Sequence, residues 1–458
     1  MQLALTPDAR GAIRLVPVAK AGFEAWLKKQ PPEDRAWLQA TGFGAEPGRF
    51  AFLPAAGGKP TRVVIGADLK ADPVWAIAGL PEALPEGRYR LEAKLKAADA
   101  TRLALGWALG AYAYTRYKKP KRAFAKLVWP DNADRAEVER LAQGVFLARD
   151  LINTPAEDLG PMDLANAAKA VAKAHGAEFS VISGEALLKR NYPTVHAVGR
   201  AASRAPCLID FHWGKRNAPK VTLVGKGVCF DTGGLDLKPP AGMLQMKKDM
   251  GGAAVVLGLA SALMSAKAKI RLRVLIPAVE NSVSGNAIRP LDVVRTRSGK
   301  TVEIGNTDAE GRLILCDALT EADSEDPALL VDCATLTGAA RVALGPELQA
   351  YFTRHDPLAR ALDAAGEKAS DPMWRLPLWA GYRRMIDGKV GELNNVASSP
   401  HGGAIIAALY LAEFVKPATR WIHIDLFGSN ASSRPGRPEG GEATGLRALY
   451  RVIRAKYG

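Results

Sequence analysis

The chain has 458 residues, of which 48% are hydrophobic and 24% charged, with a formal net charge of +15. This is the composition of a soluble globular protein of roughly two or three domains, large enough to need no disulfide staples. No uncharged apolar run approaches the ~20 residues of a membrane-spanning helix, and the positive charge favours anionic partners: nucleic acid, acidic substrates or a membrane surface.

The chain opens with MQLALTPDAR, which Pro7 and Asp8 break too early for a secretory signal. The four cysteines, Cys207, Cys229, Cys316 and Cys333, are widely spaced and form no CxxC. Zinc-ribbon and thioredoxin readings are therefore excluded, and each cysteine reads as a small buried residue. A reducing, cytoplasmic location is expected.

Residues 1 to about 130 mix short apolar strands with helical stretches. RVVIGADL (62–69) predicts a strand and turn, and AADATRLALGWALGAYAYTRY (97–117) a helix rich in small residues. TRYKKPKRAFAK (115–126) is the densest basic run, with Tyr114, Tyr117 and Phe124 at or within it. It reads as a solvated domain edge; a nucleic-acid patch is the less favoured reading, because no recognised binding motif accompanies the run. Pro120 and Pro130 punctuate, a helix runs from Ala133, and Asp150, Asn153, Thr154 and Pro155 stop it. The boundary falls near residue 140. A smaller N-terminal α/β domain (1–140) is expected, followed by a catalytic domain (141–458).

The second half alternates. VTLVGKGVC (221–229), LRVLIPAVE (272–280), ALLVDCATL (328–336) and RWIHIDLFG (420–428) are compact, β-branched-rich runs. Helical segments begin at Gly251, Gly311 and Gly402 between them. The fold class is thus α/β, with a mostly parallel sheet flanked by helices. Ligands of such sheets sit beyond the strand C-termini, where the polar residues of interest fall.

Two stretches carry the chemistry. In VGKGVCFDTGGLDLKPPAGMLQMKKDMGGAA (224–254), Lys226 and Asp231 leave a strand end, Lys238 precedes two prolines, and Asp249 precedes a Gly-Gly helix start. In GNTDAEGRLIL (305–315), Asp308, Glu310 and Arg312 alternate; in an extended segment they would share one side. Four carboxylates that met unneutralised would repel severely. Two divalent ions ~3.5–4 Å apart would balance them and form a hydrolytic device. Zinc, manganese, magnesium and cobalt all suit these ligands. There is no HExxH, which excludes a single-zinc protease of that type. Spacing alone supports a dinuclear hydrolase and leaves a two-metal phosphoesterase open. His423 and Asp425, alternating on an apolar strand, read as a satisfied core pair.

NTDAEGRL (306–313), GKGVCFDTGG with DLKP, and MKKDMGGAA resemble the metal segments of the leucyl (cytosol) aminopeptidase family, intervals included. ARDLINTPAEDLGP, DCATLTGA, GGAIIAALYLAEFV and WIHIDLFG are similar to further segments of that family, from about residue 145 onward. The resemblance implies a metallo-exopeptidase acting on peptides with a free N-terminus through two metals, zinc or manganese ahead of magnesium or cobalt, and a bridging hydroxide. Asp231 and Glu310 would bridge the ions, Lys226 and Asp249 would complete one site, and Asp308 would serve the other. Lys238 would act as electrophile, and Arg312 would hold a bicarbonate that shuttles the proton. Met246, Asn306, Thr335, Leu336 and Gly338 match positions lining the substrate side. A homohexamer is implied, and no membrane partner. The chain departs from the family at Phe427, where Ala is common beside the side-chain pocket, and at Asp236, where Ser is common.

Overall fold

The computed structural model describes residues 3–55 and 60–458. Two compact units emerge: one takes Met1–Phe146 and Ser432–Glu439, the other Leu147–Ala431 and Gly440–Gly458. The division falls inside the helix Arg135–Asn153.

In the first unit a six-stranded sheet runs in the order Leu5–Thr6, Lys126–Val128, Arg88–Leu91, Ile13–Val18, Arg62–Gly66, Phe50–Phe52. Neighbours are parallel except the last pair. The helix Ala97–Gly110 buries Leu103 and Trp107 in the same cluster as Val63, Ile65 and Leu127. It ends seven residues before the Tyr117 that its composition suggests. The chain has to double back for Lys126–Val128 to enter the sheet, and Trp107 Nε1 ties the return by donating to Ala125 O at 3.2 Å.

The second unit is built on a nine-stranded sheet. Its path is Met373–Arg375, Gln349–Phe352, Trp421–Asp425, Leu329–Ala334, Lys220–Gly225, Arg271–Asn281, Cys207–Trp213, Glu178–Ser183. Gly227–Asp231 pairs in parallel with the far end of Arg271–Asn281. The four central strands are parallel, whereas Gln349–Phe352, Cys207–Trp213 and Glu178–Ser183 run antiparallel to their inner neighbours. Continuous burial of Leu329–Ala334 and Trp421–Asp425 accounts for their unbroken apolar runs. Helices Gly251–Ser265 and Gly403–Ala412 are buried almost all round, so neither is amphipathic. Among the described residues no helix is long and apolar enough to cross a membrane.

VTLVGKGVC is one run in sequence but two strands in space, Lys220–Gly225 and Gly227–Asp231. The break is at Lys226, whose N–H donates to Cys333 O at 3.0 Å and whose carbonyl accepts from Ala253 N at 2.9 Å. Lys226 thus stands beyond the C-terminus of one central strand. Asp231 ends the strand that follows, and Ala334 and Asp425 end two others in register with each other.

Candidate metal centre

Lys226 is 3% exposed, yet charged groups surround it. Its Nζ lies 2.7 Å from Asp249 Oδ2 and 2.9 Å from Glu310 Oε1, and donates to Thr335 O at 2.8 Å. The helix Glu310–Ser324 approaches so closely that a Cβ at Gly311 would sit 2.5 Å from Lys226 Cε. Thr335 Oγ1 donates to Asp249 Oδ1 at 2.7 Å. Burial opposes ionisation of Asp249, but Lys226 and Lys248 prevail and hold its pKa below the ordinary value. Glu310 is pushed the other way: burial, then the nearby Asp231, raise its pKa to about 8. Burial also works against the Lys226 ammonium, but Asp249, Glu310 and Asp231 outweigh it and raise its pKa.

A second cluster adjoins the first. Lys238 Nζ lies 2.9 Å from Asp231 Oδ2 and 2.5 Å from Asp308 Oδ1. Asp231 Oδ1 accepts from Gly233 N and from Asn281 Nδ2, each at 2.8 Å. The tight return after Asp231 needs Gly233, at φ +91°. Burial and the neighbouring Asp231 raise the Asp308 pKa. Desolvation opposes the Lys238 charge, but Asp231 and Asp308 more than compensate and its pKa rises.

Asp231, Asp308 and Glu310 each offer an oxygen, all within 4.8 Å of one another. They do not converge by strand alternation. The backbone turns instead, with Asp308 N donating to Asn306 Oδ1 at 2.7 Å, and Glu310 and Arg312 stand in the first turn of a helix. Buried oxygens Asp249 Oδ2, Asp308 Oδ1 and Glu310 Oε1 lie near a lysine yet accept no well-directed hydrogen bond. Hard carboxylate oxygens left without hydrogen bonds in one pocket fit divalent cations.

Arg312 is 8% exposed, and among the described residues it pairs with no carboxylate. Nη1 donates to Asn395 O at 2.7 Å, and the buried Nε has no partner. Burial lowers its pKa. An isolated guanidinium beside an acidic cluster is not the salt bridge that Asp-x-Glu-x-Arg usually makes.

Of the residues placed on the substrate side, Thr335 orients Asp249 and Asn306 caps the turn at Asp308. Leu336 N donates to Asp425 Oδ1 at 3.0 Å, Met246 opens the turn Met246–Met250 that carries Asp249, and Gly338 starts a helix facing open space. His423 and Asp425 do not pair with each other. His423 Nδ1 lies 2.6 Å from Asp332 Oδ1, because parallel register sets those two residues side by side, and Asp425 takes the N–H groups of Leu336 and Thr337 instead.

Several supporting roles are not legible in the sequence. Asn281 was readable as a polar residue ending an apolar strand. Asp236 and Thr307 exchange bonds, Asp236 N to Thr307 Oγ1 at 2.8 Å and Thr307 N to Asp236 Oδ2 at 2.7 Å, which locks the two carboxylate-bearing loops together. Asn395 accepts from Gly305 N at 2.8 Å and donates to Asn306 O at 2.7 Å. No local signal announced Asn395. The Phe427 ring packs under Lys248 and Arg341. Burial lowers the pKa of Lys248, while Asp249 pulls the other way.

An α/β sheet with carboxylates and lysines collected at its strand ends defines a class, the metal-dependent hydrolases. The sequence matches the cytosol aminopeptidase family, catalytic domain, over residues 146–450, and the M17 aminopeptidase N-terminal domain over residues 13–130. The chain belongs to the cytosol aminopeptidase (M17) family, and is a metallo-exopeptidase of the leucyl aminopeptidase type. The probable cytosol aminopeptidase of Sinorhizobium medicae is 37% identical over 445 residues, covering 93% of this chain and 86% of its own. The solved cytosol aminopeptidase of Coxiella burnetii is 46% identical, with TM-score 0.95 and 99% of each chain covered. The bottromycin maturation enzyme BotP, solved in complex with Mn, is 33% identical, with TM-score 0.87 over 97% of this chain and 99% of its own. The N-terminal match extends the family to residues 13–130, ahead of the segments from about residue 145 that carry the resemblance.

Proposed function

We propose that this metal-dependent aminopeptidase works with two divalent ions, and that Asp231, Asp249, Asp308, Glu310 and Lys226 hold them, Lys226 as a neutral amine that releases its proton to solvent when the ions bind. The observation that carries the reading is that Asp231, Asp308 and Glu310 each offer an oxygen within 4.8 Å of the others, and that Asp308 and Glu310, with the neighbouring Asp249, each keep a buried oxygen without a directed hydrogen bond. Manganese or zinc suits the donors, and a relative's complex with Mn favours manganese. When bound, such ions supply Lewis acidity and an acidified water.

The chain's own residues do the rest. Lys238, half-buried at the rim beside Asp231 and Asp308, donates to the scissile carbonyl oxygen as negative charge develops there. Arg312, cationic and without a carboxylate, holds bicarbonate through its free Nε. The guanidinium cannot shuttle a proton itself, because it does not deprotonate. Asn306, Thr335, Leu336, Gly338 and Met246 border the peptide's N-terminal residue. The reading includes assembly as a cytoplasmic homohexamer, which the mass in solution checks.

Turnover of aminoacyl-anilides with and without chelator tests the reading, with wild type compared with Glu310→Ala. Metal content and turnover should fall together in the variant. Full activity after Glu310→Ala refutes the assignment.

A further inference from the structure

Most lysines around the metal cluster are occupied. Lys226 and Lys238 each touch two carboxylates, and Lys247 Nζ donates to Asn153 O at 2.7 Å. Lys248 is the exception. It is 8% exposed, and among the described residues its ammonium forms neither an ion pair nor a hydrogen bond. Its contact is the face of Phe427, with Nζ 4.7 Å from the ring centroid. Arg341 Cζ lies over the same ring at 4.2 Å, again with no carboxylate.

A ring face repays only part of what burying an ammonium costs, and two cations on one ring repel each other. An anion beside them would relieve both deficits. The three residues border the cluster on separate segments. Lys248 precedes Asp249. Phe427 precedes Gly428, where an added Cβ would come within 3.2 Å of Thr335 Cγ2, and Thr335 holds Asp249. Arg341 stands on the helix Gly338–Leu344, close after Thr335 and Leu336. An anion seated here therefore lies beside the reacting part of the substrate.

We infer that Lys248 and Arg341, backed by the Phe427 ring, form a wall that recognises a substrate carboxylate. This inference rests on the aminopeptidase reading above. The carboxylate is either the side chain of an N-terminal Glu or Asp, or the free α-carboxylate of a dipeptide.

The test uses the full chain loaded with manganese. Wild type, Lys248→Met, Lys248→Arg and the exposed Arg341→Gln are compared by kcat/KM on two matched pairs: Glu-anilide against Gln-anilide, and Ala-Ala against Ala-Ala-amide. Leu- and Ala-anilides are run alongside. Wild type should favour the carboxylate in one pair by about tenfold or more, since hydrogen bonds to charged groups carry at least that much. The favoured pair identifies the source. Lys248→Met should collapse that ratio, Arg341→Gln should reduce it, and Lys248→Arg should keep it. No preference in either pair, or a ratio that survives Lys248→Met, overturns the inference while Leu- and Ala-anilide turnover leaves the aminopeptidase reading standing. Failure to cleave any substrate overturns both.

Discussion

Gly311→Ala isolates the part Lys226 plays. The new Cβ would sit 2.5 Å from Lys226 Cε and 2.8 Å from its Nζ. Ordinary carbon contacts are ~3.5–4.0 Å, so the lysine must retreat by roughly 1 Å. Its ammonium would then leave Asp249 Oδ2, Glu310 Oε1 and Thr335 O, now at 2.7, 2.9 and 2.8 Å. A hydrogen bond made by a charged group contributes about 1.5–3 kcal/mol, while Ala in place of Gly within a helix regains up to about 1 kcal/mol. Loss of the one directed hydrogen bond, to Thr335 O, less the helix gain leaves a net cost of about 0.5–3 kcal/mol. A misplacement of ~1 Å in a catalytic constellation costs on the order of 10²-fold in rate. Thermal melts, metal content and kcat on Leu-anilide measure these effects. In a Lys226→Ala background the three closest contacts, all with Lys226, are gone, and the cost should fall away. A cost that persists there, or a Gly311→Ala enzyme with normal kcat and melting temperature, refutes the contact argument.

Thr335→Val removes the hydroxyl that donates to Asp249 Oδ1. Manganese affinity, measured by titration calorimetry, should fall about 10-fold or more, as for other groups that orient a metal ligand. Asp236→Ala breaks the reciprocal bonds with Thr307. Urea unfolding should show a loss of about 1–3 kcal/mol from the hydrogen-bond partners left unpaired. Glu442 is buried, which opposes its charge, but Arg149 Nη2 at 3.0 Å from Oε2 holds its pKa below the usual value. A depressed carboxylate contributes stability above its unfolded pKa, ~4.3, and loses it as pH falls toward the lower folded value. Glu442→Gln should therefore be less stable than wild type at pH 7, with the gap narrowing below about pH 4; a gap that stays constant from pH 7 to pH 3 contradicts the pairing.

How much of this was legible in the sequence depends on the range over which each residue acts. Central strands announced themselves through unbroken β-branched runs, because both faces are buried. The antiparallel edges carried no such sign. Lys226 was legible as a polar residue at a strand end, but the break it makes was not, since the cause is a bond to Cys333 on a neighbouring strand. Asp308, Glu310 and Arg312 drew notice through alternate spacing, and that spacing plays no part in bringing them together. An Asn-capped turn and a helix start do so, and Asn306 followed by Asp308 carried that signal locally. Asn395 could not be found at all, because it reaches Arg312 from 83 residues away. The same distinction governs roles. Thr335 resembles a substrate-side residue, yet its hydroxyl is spent on Asp249. Asp236, a departure from the family's Ser, bonds Thr307 across the two loops. Both carboxylates and loops are thus fixed by the chain's own donors: Asn281 and Gly233 hold Asp231, Thr335 holds Asp249, and Asn306 holds the backbone of Asp308. In a centre fixed in this way the carboxylates stay in place while the Lys226 and Lys238 ammonium groups give way to the ions, and the geometry is more sensitive to the uncharged supports than ligand identity alone suggests.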